Sequence, residues 1–483
     1  MSSSVQSGHL NLGALCKYIV ISGTFLFFFY LVFFDTNHHG DHHYQPYSDL
    51  LETLKQKLPK PSCSTTTPTN ISHLVFGVIG SMNTWKRKRF YSTAWWRPNV
   101  TRGHVFLDRA PTKEFLPWPP SSPPFEISEN ITMRKIYPKL ASPIQVRMLR
   151  TSLEMFRQGD ENVRWYVVCD DDTVLMVDNL VEILSKYDHT KYYYIGTSSE
   201  SLSSDFGLSF DMAFGGAGYV LSYPLASMVA STLDSCIERY PFIKFSDFFM
   251  YTCLADLGVA LTHNNGFHQI DLRGDISGFL SAHPQTPFLS LHHMDNINPI
   301  FPTTKDQPTA INHLMKAANV DQSRLLQQTI CHHRPTNWTF SVAWGYSAHV
   351  YESILPRSFL RKPLQTFRDW SGGRPPRSVI NPRWPTNDPC QAPHAFFFDS
   401  INDDDNGVVI TTYVRASPRG LPAACSSSGN HSADHIDRIR VFSLAKLPLE
   451  AGGRECCDVV YAAGMDTTTE VRYRACLNQE VTA

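Results

Sequence analysis

Tyr166, Val167, Val168 and Cys169 form an apolar run of strand-forming residues that stops abruptly on three carboxylates, Asp170, Asp171 and Asp172. The run is too short for a helix and suits a buried strand. Each carboxylate pair at about 4 Å repels by on the order of 4 kcal/mol at an effective dielectric of about 20. At the mouth of a buried strand that repulsion calls for a cation, and hard oxygen ligands suit Mn²⁺ or Mg²⁺. The carboxyl ends of strands in an open α/β sheet are also where ligands bind. Strand, acidic triplet and a helix over 179–188 outline a metal–diphosphate site; the plainer alternative is a solvated acidic turn.

A second triplet, Asp403, Asp404 and Asp405, serves as a control. Ser400, Ile401 and Asn402 precede it, and Asn406-Gly407 follows, between apolar runs at 396–398 and 408–410. Asn-Gly in that setting signals a hairpin, so this triplet reads as a polar turn.

The length admits about two or three domains. A charged fraction of 18% and a formal charge of −1 leave no basic footprint for nucleic acid. Aromatic content of 12% beside 32 prolines describes a packed, loop-rich globular protein.

Residues 18–34 are charge-free and strongly apolar, with Lys17 before them and Asp35 after. As a helix they span about 26 Å, which 13–16 can extend while Lys17 snorkels. Histidines at 38, 39, 42 and 43 follow in place of a small-residue cleavage site, so the run reads as a signal anchor rather than a cleaved peptide. The flanking charges favour a cytosolic tail, 1–17. The chain beyond 35 is then lumenal. Sequons at Asn70, Asn99, Asn130, Asn337 and Asn430 agree, as do the cysteines, of which Cys16 alone among 11 lies before residue 35. Two cysteines on consecutive helices, Cys236 and Cys253, are expected to pair, with Cys169, Cys456 and Cys457 as competing partners.

Residues 35–72 hold histidines, prolines and a Ser/Thr cluster and read as a stem. From His73 strands alternate with helices: strands at 74–79, 104–108, 166–169 and 192–195, and helices at 143–156, 179–188, 224–239 and 248–257. This progression predicts a mostly parallel sheet over 73–300. Residues 85–96 are a basic, aromatic segment. Phe214 to Tyr219 puts small residues, Gly215 and Gly216 among them, between two aromatics, which allows close approach to a ligand. Ser246 or Asp247 could cap the helix that follows. A connecting segment, 301–335, carries a candidate helix over 310–330. Residues 336–483 form a β-rich, cysteine-containing module, and no repeat is evident.

In their order and intervals, 165–172, 214–219, Ser246-Asp247 and Gly266-Phe267-His268 resemble the Fringe-type β1,3-glycosyltransferases. The likeness is to the plant subgroup long labelled as a domain of unknown function, which residues 289–295 also resemble, and it runs from about His73 to Asp295. It implies a GT-A-type, Rossmann-like fold, a UDP-sugar donor, Mn²⁺, a glycan or glycoprotein acceptor and inversion at the anomeric carbon. It assigns Asp172 and His268 to the metal, Asp170 and Asp171 to ribose and uracil, Gly215 and Gly216 to the donor, and Asp247 to the catalytic base. Where Fringe proteins carry two adjacent acids this chain has Ser246-Asp247, so one base candidate remains, with Asp271, Asp275, His292 and His293 in reserve. His292 and His293 are also alternative metal ligands. The expected setting is the Golgi membrane, single-pass and type II, with the catalytic domain in the lumen. Two rivals remain: a non-catalytic, Golgi-anchored protein on the same scaffold that binds glycans or nucleotide-sugars, and a two-metal phosphohydrolase, which needs further inward carboxylates.

Overall fold

Apolar six-residue runs set the first sheet. In the computed structural model, Leu74–Ile79 is β1, buried along its whole length, and α1 (Trp85–Trp95) follows it. Then come β2 (Gly103–Leu107), β3 (Phe125–Ile127), α2 (Pro143–Arg157) and β4 (Trp165–Asp170). A two-residue strand, β5 (Val174–Leu175), precedes α3 (Val177–Leu184), β6 (Tyr194–Gly196), α4 (Leu202–Gly207) and β7 (Tyr219–Ser222). Next are α5 (Tyr223–Arg239), α6 (Ser246–Asp256), β8 (Leu261–His263), β9 (Leu272–Gly274), α7 (Ser277–Leu280) and β10 (Ser290–Leu291).

The structure describes residues 67–131, 139–372, 375–403, 407–421, 425, 432–444, 455–461 and 467–480. The run 18–34, the stem as far as 66, Cys16, Cys63, Asp404, Asp405, Asn406 and Asn430 lie outside them. Among the described residues no helix is long and apolar enough to cross a membrane. Those beyond Thr67 belong to one unit, Pro68–Ala483.

The first sheet runs β3-β2-β1-β4-β7-β6-β8, which puts β4 at its centre. β3, β2, β1 and β4 are parallel, and so are β6 and β8; β7 lies antiparallel between β4 and β6. Six strands therefore point one way, and their carboxyl ends share one edge. β4 is apolar on both faces because each face is covered, Val167 and Cys169 packing into one core cluster and Tyr166 and Val168 into another.

Beyond β10 the helix is α8 (Gln307–Ala318), which Asp306 caps by accepting from Thr309 N at 2.8 Å. The candidate helix 310–330 is corrected accordingly: Asn319 closes α8, Asp321 turns the chain, and Ile330 sits in β11 (Gln328–His333). β12 (Trp338–Ala343), β13 (Ser347–Tyr351), α9 (Arg357–Leu360) and β14 (Phe367–Asp369) follow. The last strands are β15 (His394–Asp403), β16 (Val408–Arg415), β17 (Arg438–Leu444), β18 (Glu455–Val460) and β19 (Thr468–Ala475). The second sheet runs β11-β12-β13-β15-β16-β17-β19-β18, and a Cys331–Cys457 disulfide joins its two edge strands, with Cα atoms 5.7 Å apart.

One apolar core runs from β1 and β4 into the second sheet. β14 leaves that sheet altogether and pairs with β9 beside the first. Cys236 and Cys253 are bonded, tying α5 to α6. Cys456 pairs with Cys476 and Cys390 with Cys425, while Cys169, buried, is a free thiol among the described residues. The sequons at Asn70, Asn99, Asn130 and Asn337 are exposed.

Candidate metal and catalytic site

The acidic triplet sits where the carboxyl end of β4 turns into β5. Asp170 ends β4, Asp171 N donates to Ile79 O at 3.0 Å, and β5 then pairs antiparallel with β10. That pairing carries His292, the residue after β10, up to the triplet. Its Nε2 stands 3.1 Å from Asp172 Oδ1 and 3.6 Å from Asp170 Oδ2. One ligand atom from each of Asp170, Asp172 and His292 lies within 4.8 Å of the others.

Both Asp172 and His292 are buried, and their close approach is not an aligned hydrogen bond. Asp172 Oδ1 and His292 Nδ1 have no hydrogen-bond partner among the described residues. Burial disfavours protonation of His292 and holds its pKa below the ordinary value despite Asp172. Burial pushes the Asp172 carboxyl up, but the opposing pull of its neighbours, Lys88 among them, holds its pKa below the ordinary value. Burial and the neighbouring acids Asp172 and Asp247 raise Asp170 well above the carboxylate range. Two carboxylates and a neutral imidazole, with Asp172 Oδ1 and His292 Nδ1 left unpartnered, fit a divalent cation.

A helix face holds the triplet from the other side. Thr84, Lys88, Ser92 and Trp95 recur at α-helical spacing at the start of α1 and along it. Thr84 Oγ1 donates to Asp171 Oδ2 at 3.2 Å, Ser92 Oγ to Asp171 O at 3.4 Å and Trp95 Nε1 to Thr173 O at 3.0 Å. Lys88 Nζ lies 2.8 Å from Asp172 Oδ2 and 3.6 Å from Asp171 Oδ1. Burial raises Asp171 to about 6 against the pull of Lys88. Beside the triplet a cavity of about 250 Å³ is lined by Gly80, Ser81, Asp108, Arg147, Asp170 and Asp171.

The small-residue run has a steric reason of its own. A Cβ on Gly216 would stand 2.1 Å from the His292 ring, and one on Gly215 would stand 2.5 Å from Asp247 Oδ1. The two glycines make room for a ligand-type imidazole and a carboxylate. Thr173 Oγ1 donates to Gly216 O at 2.6 Å, and Ser290 Oγ to Ala217 O at 2.5 Å, locking the run to the triplet turn and to β10.

Asp247 lies in the first turn of α6, whose N-cap is Phe245 with no side-chain cap bond, so neither Ser246 nor Asp247 caps this helix. The Asp247 carboxylate accepts from Ser246 Oγ at 3.2 Å and lies against Gly215. It is partly exposed, and its packing raises its pKa above the ordinary carboxylate value.

His268 does not join the Asp170–Asp172–His292 set. Its Nδ1 faces Glu200 Oε1 at 3.1 Å, and only its carbonyl touches the set, accepting from His292 N at 3.1 Å. His293 is turned to Asp271 Oδ1 at 2.8 Å and stacks on Trp370, which the segment after β14 supplies. Asp275 Oδ1 accepts from Ser277 N. Lys88 and Glu200 were not singled out from sequence. The 84/88/92/95 spacing was the available signal for Lys88; nothing local marks Glu200.

A stretch of 149 residues, 31% of the chain, is 30% identical to a human protein named Beta-1,3-glucosyltransferase. The mouse protein of that name is 27% identical over 162 residues, 32% of the chain. The match covers 28% and 32% of those proteins' own length. Among solved structures, the mannosyltransferase PcManGT from Pyrobaculum calidifontis, in complex with GDP-Man and Mn²⁺, matches at a TM-score of 0.27 and 14% identity. It covers 46% of this chain and 64% of that one, and a likeness that slight carries nothing further. Residues 204–457 span α4 to β18 and include Asp247, His268 and His292; they match the family described as "Protein of unknown function, DUF604", and the chain belongs to that family.

Proposed function

We propose that the chain is an inverting, metal-dependent glycosyltransferase with a GT-A-type fold. It moves a sugar from a UDP-sugar to a hydroxyl of a glycan or glycoprotein and forms a β1,3 linkage. The observation that carries this reading is the meeting of Asp170, Asp172 and His292 at the end of the central strand, with Asp247 close enough to repel Asp170. The likeness to the human and mouse proteins named Beta-1,3-glucosyltransferase supports the reaction class. The setting that goes with it is a Golgi membrane, with 18–34 as anchor and the rest lumenal.

Asp170, Asp172 and His292 would hold the cation. When bound, a divalent ion there supplies positive charge to a diphosphate leaving group. Lys88 adds a second positive charge at the same place. The cavity of about 250 Å³ beside the triplet offers Asp108, Asp170 and Asp171 as acceptors for ribose hydroxyls and a uracil imide. Asp247 accepts the proton of the acceptor hydroxyl as that oxygen bonds C1 and the C1–O bond to the diphosphate breaks on the opposite face. Its raised pKa brings it nearer the operating pH of a general base. The phosphohydrolase reading needs a second metal set. Among the described residues the other ligand cluster is Cys456, Cys476 and Glu480, whose cysteines are disulfide-bonded.

The test is a panel of UDP-sugars with purified full-length protein and Mn²⁺, following UDP release and glycosylated product. Turnover of one donor, lost with chelator and in Asp172→Ala, is expected. No turnover and no Mn²⁺-dependent binding of any UDP-sugar would overturn the reading.

A further inference from the structure

A second cavity, of about 410 Å³, opens on the same sheet edge as the triplet but is walled by other loops. β6 and β8 are parallel to β4, so the segments that leave their carboxyl ends, 197–201 and 264–269, come out beside the acidic turn. Thr197, Glu200, Asn265, His268, His283 and Gln285 line the cavity, with Phe267 and Val379 as its apolar part. The volume falls within the usual range for ligand pockets.

Two of these side chains are more than nine-tenths buried and incompletely partnered. Glu200 is 5% exposed and His268 4%. Glu200 Oε1 meets His268 Nδ1, while Glu200 Oε2 and His268 Nε2 have no hydrogen-bond partner among the described residues. Buried polar atoms of this kind are costly to leave unpaired. Where His268 Nδ1 donates its hydrogen bond to Glu200 Oε1, His268 Nε2 and Glu200 Oε2 are left as acceptors. His283, whose pKa burial and His268 lower to about 3, is a neutral imidazole on the same wall.

The wall is braced. Ser199 N donates to Asp205 Oδ1 at 2.9 Å and Ser201 N to Ser199 Oγ at 2.9 Å, while Val379 N donates to Glu200 O at 3.0 Å. It is also wired to the metal set. Ser199 Oγ donates to Asp271 Oδ2 at 2.5 Å, Asp271 Oδ1 meets His293 Nδ1, and His293 packs on His292 with ring centroids 4.0 Å apart.

We propose that this cavity binds one neutral, hydroxyl-rich sugar ring of the acceptor, with Glu200 and His268 accepting from its hydroxyls and Asn265 and Gln285 bonding at the rim. Acceptor atoms without partners call for a ligand rich in donors. A buried carboxylate at the wall rejects phosphates and other anions, so the donor's diphosphate belongs at the triplet and not here. The assignment deepens the transferase reading and rests on it.

The test is saturation-transfer difference NMR on the full chain with methyl β-glycosides of glucose, galactose, xylose and N-acetylglucosamine. Mn²⁺-dependent UDP binding is measured in parallel. At least one glycoside should receive saturation, and Glu200→Gln should weaken it by at least about tenfold while UDP binding stays within threefold. Because Glu200→Gln also disturbs His268, a second variant is needed. Asn265→Trp, at an exposed rim position, fills the mouth and should abolish the signal without lowering the melting temperature. Asp172→Ala should lose UDP and keep the glycoside. No glycoside signal with wild type, or a signal unchanged in both pocket variants, overturns the proposal. Loss of UDP binding in wild type with the glycoside retained would instead remove the transferase reading.

Discussion

At the scale of single residues, what the site needs is room as much as charge. Gly216→Ala would push a methyl into the His292 ring, a close contact that costs about 1–3 kcal/mol to relax. It should lower both the melting temperature and Mn²⁺ affinity; thermal unfolding and a Mn²⁺ titration check this. Asp172→Ala should weaken Mn²⁺ by at least about 100-fold, since loss of mere outer-shell partners already costs about 10–100-fold. Asp404→Ala, in the control triplet and itself outside the described residues, should be silent in the same titration. Asp247→Asn separates a base from a fixture: an amide keeps the Gly215 and Ser246 contacts yet cannot take a proton. Transfer should fall by at least about 100-fold with UDP-sugar binding intact. A base must be deprotonated to act, so activity should rise with pH through an acid limb lying above the ordinary carboxylate range, as the raised pKa of Asp247 requires. The triplet and Asp247 were legible because each follows or opens an apolar element. That His292 rather than His268 stands beside the triplet was not, because β10 is two residues long and its pairing with β5 leaves no periodic signature.

At the scale of elements, β4 could be read directly, since its apolar run has the length and the abrupt end of a buried strand. α1 could not. Its aromatic residues looked like a segment between strands, and its Thr84–Lys88–Ser92–Trp95 face has meaning only once the triplet turn is seen beneath it. The Cys236–Cys253 bond, expected from its place on consecutive helices, closes a loop of 17 residues. Replacing both cysteines with alanine should cost about 3 kcal/mol, read as a lower denaturant midpoint at unchanged slope. An unchanged midpoint would mean that α5 and α6 hold each other by packing alone.

At the scale of the whole molecule, the C-terminal strands share a core with the first sheet and send a segment back to it. β14 pairs with β9, and Trp370 stacks on His293 while Arg273 lies over its ring. Local pattern could show that residues beyond 336 are β-rich, but not that β14 and Trp370 return to the site, since such contacts leave no trace in spacing. A chain ending at residue 335 should therefore lack a cooperative unfolding transition. Glu352 anchors the second sheet: it accepts from His394 Nε2 at 2.8 Å, Cys425 N at 2.9 Å, Ala433 N at 3.0 Å and Ser432 Oγ at 3.1 Å. Burial opposes its ionisation, but these donors prevail and hold its pKa at about 2. A depressed acid stabilises the fold above its unfolded pKa and loses that contribution as pH falls through the folded one. Glu352→Gln should cost about 3–5 kcal/mol at neutral pH, and the difference from wild type should shrink between about pH 4.5 and about 2.

The most direct measurement is a Mn²⁺ titration of the full chain in the presence of UDP, by calorimetry, comparing wild type with His292→Ala and His268→Ala. With the metal held by Asp170, Asp172 and His292, His292→Ala should weaken Mn²⁺ by at least about 100-fold. His268→Ala, whose ring faces Glu200 instead, should stay within about threefold of wild type. The reverse order, with Mn²⁺ binding lost in His268→Ala and kept in His292→Ala, would contradict the site described here.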